Sequence, residues 1–300
     1  MATHSAEIMN EASSGDVVLI RSDFQTGKRL TTEEGYRTAH ELLGSSENAD
    51  FARLSRAKRI IAFEGNDRSI FRRLEQLVTP GGVLGDPDTV LLRVGGYQQW
   101  PKVGNLPWAL KELFGVEPRI AAIFDRDYRC IAEIEEHEDT LAASGVFCRV
   151  LRRKEIENYF IVEGAIVSAA LKAGTKKGKV VDSAQIKEII SQVAASMRDE
   201  CLINVQSATT KYYQLKKDGR DVSTLLKIAK SEFDEDWNSG RYFMRLCGKE
   251  FISSFNAMIQ NEHQISISLF QIADDLKIDD IDIDIVNVIK GINNYFLDKA

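Results

Sequence analysis

Four short apolar runs punctuate residues 59 to 151, at 59–63, 89–94, 119–124 and 146–151. They are continuous rather than alternating, as expected of strands covered on both faces. Between them apolar residues recur at helical spacing. Ile70, Leu74 and Leu77 fall on one face of a helix over 67–77, and further helices are predicted over 106–113 and 131–143. Strands alternating with helices predict a mostly parallel α/β sheet with flanking helices. After Glu157 the pattern becomes helical, over 163–172, 183–203, 208–217, 222–230, 240–260 and 285–298. A basic loop, 172–179, interrupts this C-terminal helical region. The aspartate-rich stretch 274–284 lacks the glycine and closing glutamate of a calcium loop and reads as a solvated surface turn. Upstream, 16–23 reads as a strand and Gln25 to Arg29 as a polar turn. A capping box at Thr31-Thr32-Glu33-Glu34 opens a helix to about Leu43, and a short basic helix runs from Phe51 to Ala57.

Composition narrows the classes. The chain has 300 residues, 44% hydrophobic and 28% charged, with a net charge of −6. That suits one large or two smaller globular domains. It argues against a globally basic nucleic-acid binder but leaves room for a local patch. No apolar run reaches the roughly eighteen residues of a membrane span, and the N-terminus lacks the basic-then-apolar pattern of a signal peptide. Cys130, Cys148, Cys201 and Cys247 are widely spaced, which predicts thiols in a reducing cytoplasm. His4, His40, His137 and His263 have no metal-ligand spacing.

The chemistry lies where the strands end. Glu64 closes the run Ile60-Ile61-Ala62-Phe63 and is followed by Gly65 and Asp67. A glutamate there is neither cap nor core, whereas Asp67 has the ordinary alternative of a helix N-cap. Asp125 and Asp127 follow Ile120-Ala121-Ala122-Ile123-Phe124. Residues two apart on a strand point the same way, so two such carboxylates invite a divalent cation between them. Open α/β sheets bind ligands outside these strand ends. A third segment, Leu151 to Tyr159, holds Glu157, which could complete a metal site, and Asn158, which could orient a ligand. Its Arg152, Arg153 and Lys154 suit a phosphate backbone, although a surface ion-paired helix start is the plainer reading. Gly248-Lys249 at a helix start could also meet phosphate. It is not a nucleotide-binding loop, because Glu250 follows the lysine.

Together these motifs resemble the Toprim domain, most closely that of nucleases of the overcoming-lysogenization-defect (OLD) family. The resemblance rests on Glu64-Gly65, Asp125-Arg-Asp-Tyr128, Arg153-Lys-Glu-Ile-Glu-Asn-Tyr159 and Gly248-Lys249, over roughly 55–260. Asp67 departs from it, standing three rather than four residues after Glu64, where Arg68 takes the usual place. Near the N-terminus, Thr3-His4-Ser5 is similar to the switch-histidine segment that ends an ABC-type ATPase domain in that family. The resemblance implies three parts: a remnant of the ATPase domain and connector over 1–54, the Toprim domain over 55–160 and a helical region over 161–300. It implies a DNA endonuclease, of the kind found in anti-phage defence, that uses Mg²⁺ or Mn²⁺. Glu64, Asp67, Asp125, Asp127 and Glu157 would hold the metal, and Glu64 and Lys249 would be catalytic. Arg152, Arg153, Lys176, Lys177 and Lys179 would hold DNA. His4 would contact nucleotide only with a complete ATPase, which this sequence lacks, so a partner ATPase domain or subunit is expected, as is a homodimer. The alternative is a regulatory or interaction module whose site is silent without that partner.

Overall fold

The computed structural model describes residues 57–297 apart from Asn66, Pro87, Tyr97 and Gln98, together with Leu54, 18–19 and 28–29. His4 and most of the expected N-terminal elements lie outside the described residues. Val18–Leu19 (β1) pairs antiparallel with Lys28–Arg29 (β2), so the expected polar turn ends in a short strand.

The central sheet has four strands: Arg59–Phe63 (β3), Thr89–Arg93 (β4), Arg119–Phe124 (β5) and Val146–Val150 (β6). All are parallel, in the order β4-β3-β5-β6. The predicted α/β class holds. Helices Arg68–Val78 (α1), Trp100–Val103 (α2), Leu106–Phe114 (α3) and Ile131–Ala143 (α4) connect the strands. One face of the sheet, through Ile60, Ala62, Ile120, Ala122 and Phe124, packs on Trp100, Val103, Leu110, Ile134 and Leu141. The other, through Ile61, Phe63, Ala121 and Ile123, packs on Ile70, Phe71 and Leu74 of α1 and on the C-terminal helices. The strand sequences lack polar residues because both pleat faces are buried.

The C-terminal helices are Glu163–Lys176 (α5), Ser183–Leu215 (α6), Val222–Asp236 (α7), Gly248–His263 (α8), Leu269–Asp274 (α9) and Ile283–Leu297 (α10). The pattern predicts a break within 204–207, yet α6 runs unbroken for 33 residues. No glycine or proline interrupts it, and Cys201, Val205 and Thr209 carry its buried face across the polar stretch. The helix expected over 240–260 starts at Gly248 instead, because Gly240 adopts a left-handed φ of 77° and breaks the chain into short turns. Helix α9 is an addition, opened by a Ser268/Gln271 capping box. Among the described residues no helix is long and apolar enough to cross a membrane.

The aspartate-rich stretch is an exposed turn only over 277–280; on either side of it the aspartates are paired. Asp274 pairs with Arg73 and Asp275 with Lys172. Asp282 accepts Arg153 at 2.8 Å, and Asp284 accepts the Arg152 N–H at 3.0 Å and the Tyr159 hydroxyl. Asp282 and Asp284 tie this stretch to the loop after β6, and one continuous core runs from Ile61 to Phe296 across the expected boundary at 160/161. The Tyr159 hydroxyl also accepts the Arg152 and Arg153 N–H groups, at 3.2 and 3.3 Å. Tyr159→Phe is therefore expected to lower the unfolding free energy by about 1–3 kcal/mol, read from the urea midpoint at constant slope. An unchanged midpoint contradicts this tie.

Candidate active site

Strand register sets the first pair of acids. β3 and β5 are neighbours with Phe63 opposite Ile123, which puts Glu64 opposite Phe124 and Asp125 one residue beyond, both at the carboxyl edge of the sheet. The loop after β4 turns at Gly95, whose φ is 79°, and passes over Glu64. A Cβ on Gly96 would stand 3.6 Å from Glu64 Oε1. Burial, and then the Asp127 charge, raise the Glu64 carboxyl to about 7, against the pull of Arg129 and the Trp100 indole.

Asp67 occupies the N-cap position of α1 but makes no capping hydrogen bond. Its carboxylate lies against Gly65, where a Cβ would meet Oδ2 at 2.9 Å, so the glycine permits the approach. Burial raises the Asp67 pKa, while Lys249 opposes the rise. Asp125 is pushed well above the usual carboxylate range, first by burial and then by Asp67, Glu157, Glu64 and Asp127. Its Oδ1 accepts the Ile156 N–H at 3.0 Å. Asp127 joins this group through a turn rather than by strand alternation, because β5 ends at Phe124 and Asp127 takes a left-handed φ of 50°. Its N–H donates to the Lys154 carbonyl at 2.7 Å, and its Oδ2 accepts Arg129 Nη1 at 2.9 Å.

The loop after β6 and the start of α8 close the opposite side. Glu157 lies buried in the turn Ile156–Phe160, with Oε1 3.3 Å from Lys249 Nζ and Oε2 without a hydrogen-bond partner. Burial raises its pKa, although Lys249 pulls it down. The helix N-terminus considered for phosphate is already filled: the Lys249 N–H donates to Glu155 Oε1 at 2.8 Å. Glu155 Oε2 pairs with the buried Lys154 at 2.9 Å. Burial alone would raise Glu155, but Lys154 and the Lys249 N–H bring it below its ordinary value. Gly248 is required here, since a Cβ would stand 2.5 Å from Asn158 Oδ1. Asn158 is a clamp rather than a ligand-orienting group: its Nδ2 donates to the Phe243 and Leu246 carbonyls at 2.7 and 2.9 Å.

The candidate cations divide. Lys249 remains exposed beside Glu157. Arg153 is spent on structure, bonded to Asp282 and to the Asn158 carbonyl at 2.6 Å. Arg152 is half-buried in the same loop. Lys177 and Lys179 bind Gln264 at the far end of α8, and exposed Lys176 lies in that same stretch. The 16 residues of α8 put that end about 24 Å from Lys249, so the structure does not bring these lysines to the acids. It does bring Arg129, which bonds Asp127 and stacks 4.7 Å over Trp100, and Arg93, whose charge acts on Asp67. The sequence marked neither of these nor Glu155, because β-strand order and the packing of α8 decide their positions.

An all-oxygen donor set with two buried, unpartnered oxygens, Glu64 Oε2 and Glu157 Oε2, has the chemistry of a Mg²⁺ or Mn²⁺ site. As they stand, no three His, Cys, Asp or Glu side chains among the described residues are arranged as a ligand set.

The raised carboxyl of Glu64 has a consequence for stability. Folded protein keeps a proton on Glu64 up to about 7, while the unfolded chain releases it near 4.5. A raised pKa stabilises the fold below the unfolded value, and that contribution is lost as pH rises through the folded one. In EDTA, Glu64→Gln is expected to match the wild-type melting temperature near pH 4.5 and to exceed it above pH 7. Parallel profiles contradict this. Compared with protein-family models, curated proteins and solved structures, the chain matches none.

Proposed function

We propose that the chain is a metal-dependent nuclease that hydrolyses phosphodiester bonds in DNA. The observation that carries this reading is the gathering of Glu64, Asp67, Asp127 and Glu157 around the buried Asp125, with the exposed Lys249 ammonium at their edge. These five carboxylates would hold Mg²⁺ or Mn²⁺, which when bound supplies a more acidic water and neutralises charge on a phosphodiester. Asp125 is oriented for this by the Ile156 N–H. Lys249 starts from a backbone position held by Glu155, and its ammonium can leave Glu157 for a non-bridging oxygen of the scissile phosphate as charge grows there. Arg93, whose charge acts on Asp67, and Arg152 would meet neighbouring phosphates. Lys176, Lys177 and Lys179 would meet only a duplex extending about 24 Å along α8.

A second reading is an interaction module, silent until a partner ATPase binds. It is favoured by the carboxylates not standing as a closed ligand set.

Plasmid nicking in Mg²⁺ or Mn²⁺ separates the two. The nuclease reading expects wild-type nicking and a loss of about 10²-fold or more for Glu64→Ala, Asp125→Asn and Lys249→Ala. Equal rates for the wild type and Glu64→Ala sink it.

A further inference from the structure

A cleft of about 520 Å³ adjoins the acid group and is not used by the reading above. One wall is α4, through Glu133, Glu136 and His137; the other is the outer half of α6, through Asn204, Ser207 and Lys211. Asp127, Tyr128 and Arg129 line it at the end next to the acids. Tyr212 and Lys216 of α6 both bind Glu136 of α4 across it, and the Tyr212 hydroxyl also donates to the Ala132 carbonyl at 3.3 Å. Its volume is that of a site for one small ligand.

We propose that this cleft receives one unpaired nucleotide of the DNA strand, next to the phosphate held at the acids. The inference rests on the nuclease reading and names its preferred substrate as single-stranded or locally unpaired DNA. Three features support it. The cleft begins at Asp127, so a strand with its phosphate at the acids has its next nucleotide at the cleft mouth. Its acids are largely neutralised internally: Arg129 bonds Asp127 and lies 3.6 Å from Glu133, and Lys216 pairs with Glu136. What remains is an amide, a hydroxyl, an exposed lysine and aromatic rings, the groups that bind the edge and face of an unstacked base. His137 adds an uncharged ring, since burial and then Arg129 hold its pKa below the usual value, and it stands edge-on to Trp100 at 5.3 Å. Side chains of α6 bond directly to α4 across the cleft, a gap narrower than a duplex, so only an extruded or single-stranded nucleotide reaches the walls.

The test uses the full chain and a labelled short single-stranded oligonucleotide, with its duplex as control. Anisotropy in Ca²⁺ buffer reads binding, and Mg²⁺ cleavage is followed in parallel. Ser207 is exposed, so Ser207→Trp fills the cleft without touching the core; Lys211→Glu is the second variant. The expected result is tighter binding of the single strand than of the duplex by the wild type. Single-strand binding should weaken about tenfold or more in Ser207→Trp, and less in Lys211→Glu, at unchanged melting temperature. Equal single-strand affinity in the wild type and both variants overturns the cleft assignment, as does a wild type that does not bind the single strand. The two readings fail separately. Nicking abolished by Glu64→Ala with single-strand binding indifferent to Ser207→Trp removes the cleft and keeps the nuclease. Absent nicking with binding lost in Ser207→Trp does the reverse.

Discussion

Burial of like charge is the constraint on which the carboxyl edge of the sheet depends. Asp125 lies among Glu64, Asp67, Asp127 and Glu157, and each of the four raises its pKa after burial itself has done so. Such a grouping would spread unless the backbone held it. Adjacent parallel strands bring Glu64 and Asp125 to one edge, a left-handed turn adds Asp127, and a hydrogen bond from Ile156 fixes Asp125 to the next loop. Stability is spent on keeping acids together, which is the usual mark of a site rather than of a scaffold.

The cation at the edge is positioned by a second, internal set of charges. Glu155 takes both the buried Lys154 ammonium and the Lys249 N–H. Gly248 allows α8 to approach Asn158, and Asn158 clamps the chain that leads into α8. The end of the chain then holds the same loop from outside, through Asp282, Asp284 and Tyr159. Sheet and helical region are therefore mechanically joined at the site, and the shared core from Ile61 to Phe296 says the same of their packing.

Much of this was legible in sequence. Continuous apolar runs ending in acid located β3 and β5 and put Glu64 and Asp125 at one edge, because a strand covered on both faces has no other use for a charged terminus. Gly248 at a helix start was legible too. What was not legible depends on long-range packing. Glu155 and Glu157 are two apart in one loop, and only the approach of α8 decides which fills the helix N-terminus and which faces the Lys249 ammonium. Arg153 looked available until Asp282, 129 residues on, proved to hold it. Lys177 and Lys179 are basic for the far end of α8 and not for the acids. Asp274, Asp275, Asp282 and Asp284 carried no visible partner in sequence because their partners are Arg73, Lys172, Arg153 and Tyr159, all distant along the chain.

A cation site at these carboxylates is open to calorimetric titration with Mn²⁺ above pH 7. The wild type is expected to bind saturably, and Asp125→Asn to abolish binding while leaving the fold intact, since Asp125 is the acid on which the other four converge. Equal binding heats in the wild type and Asp125→Asn, or none in the wild type, would contradict it.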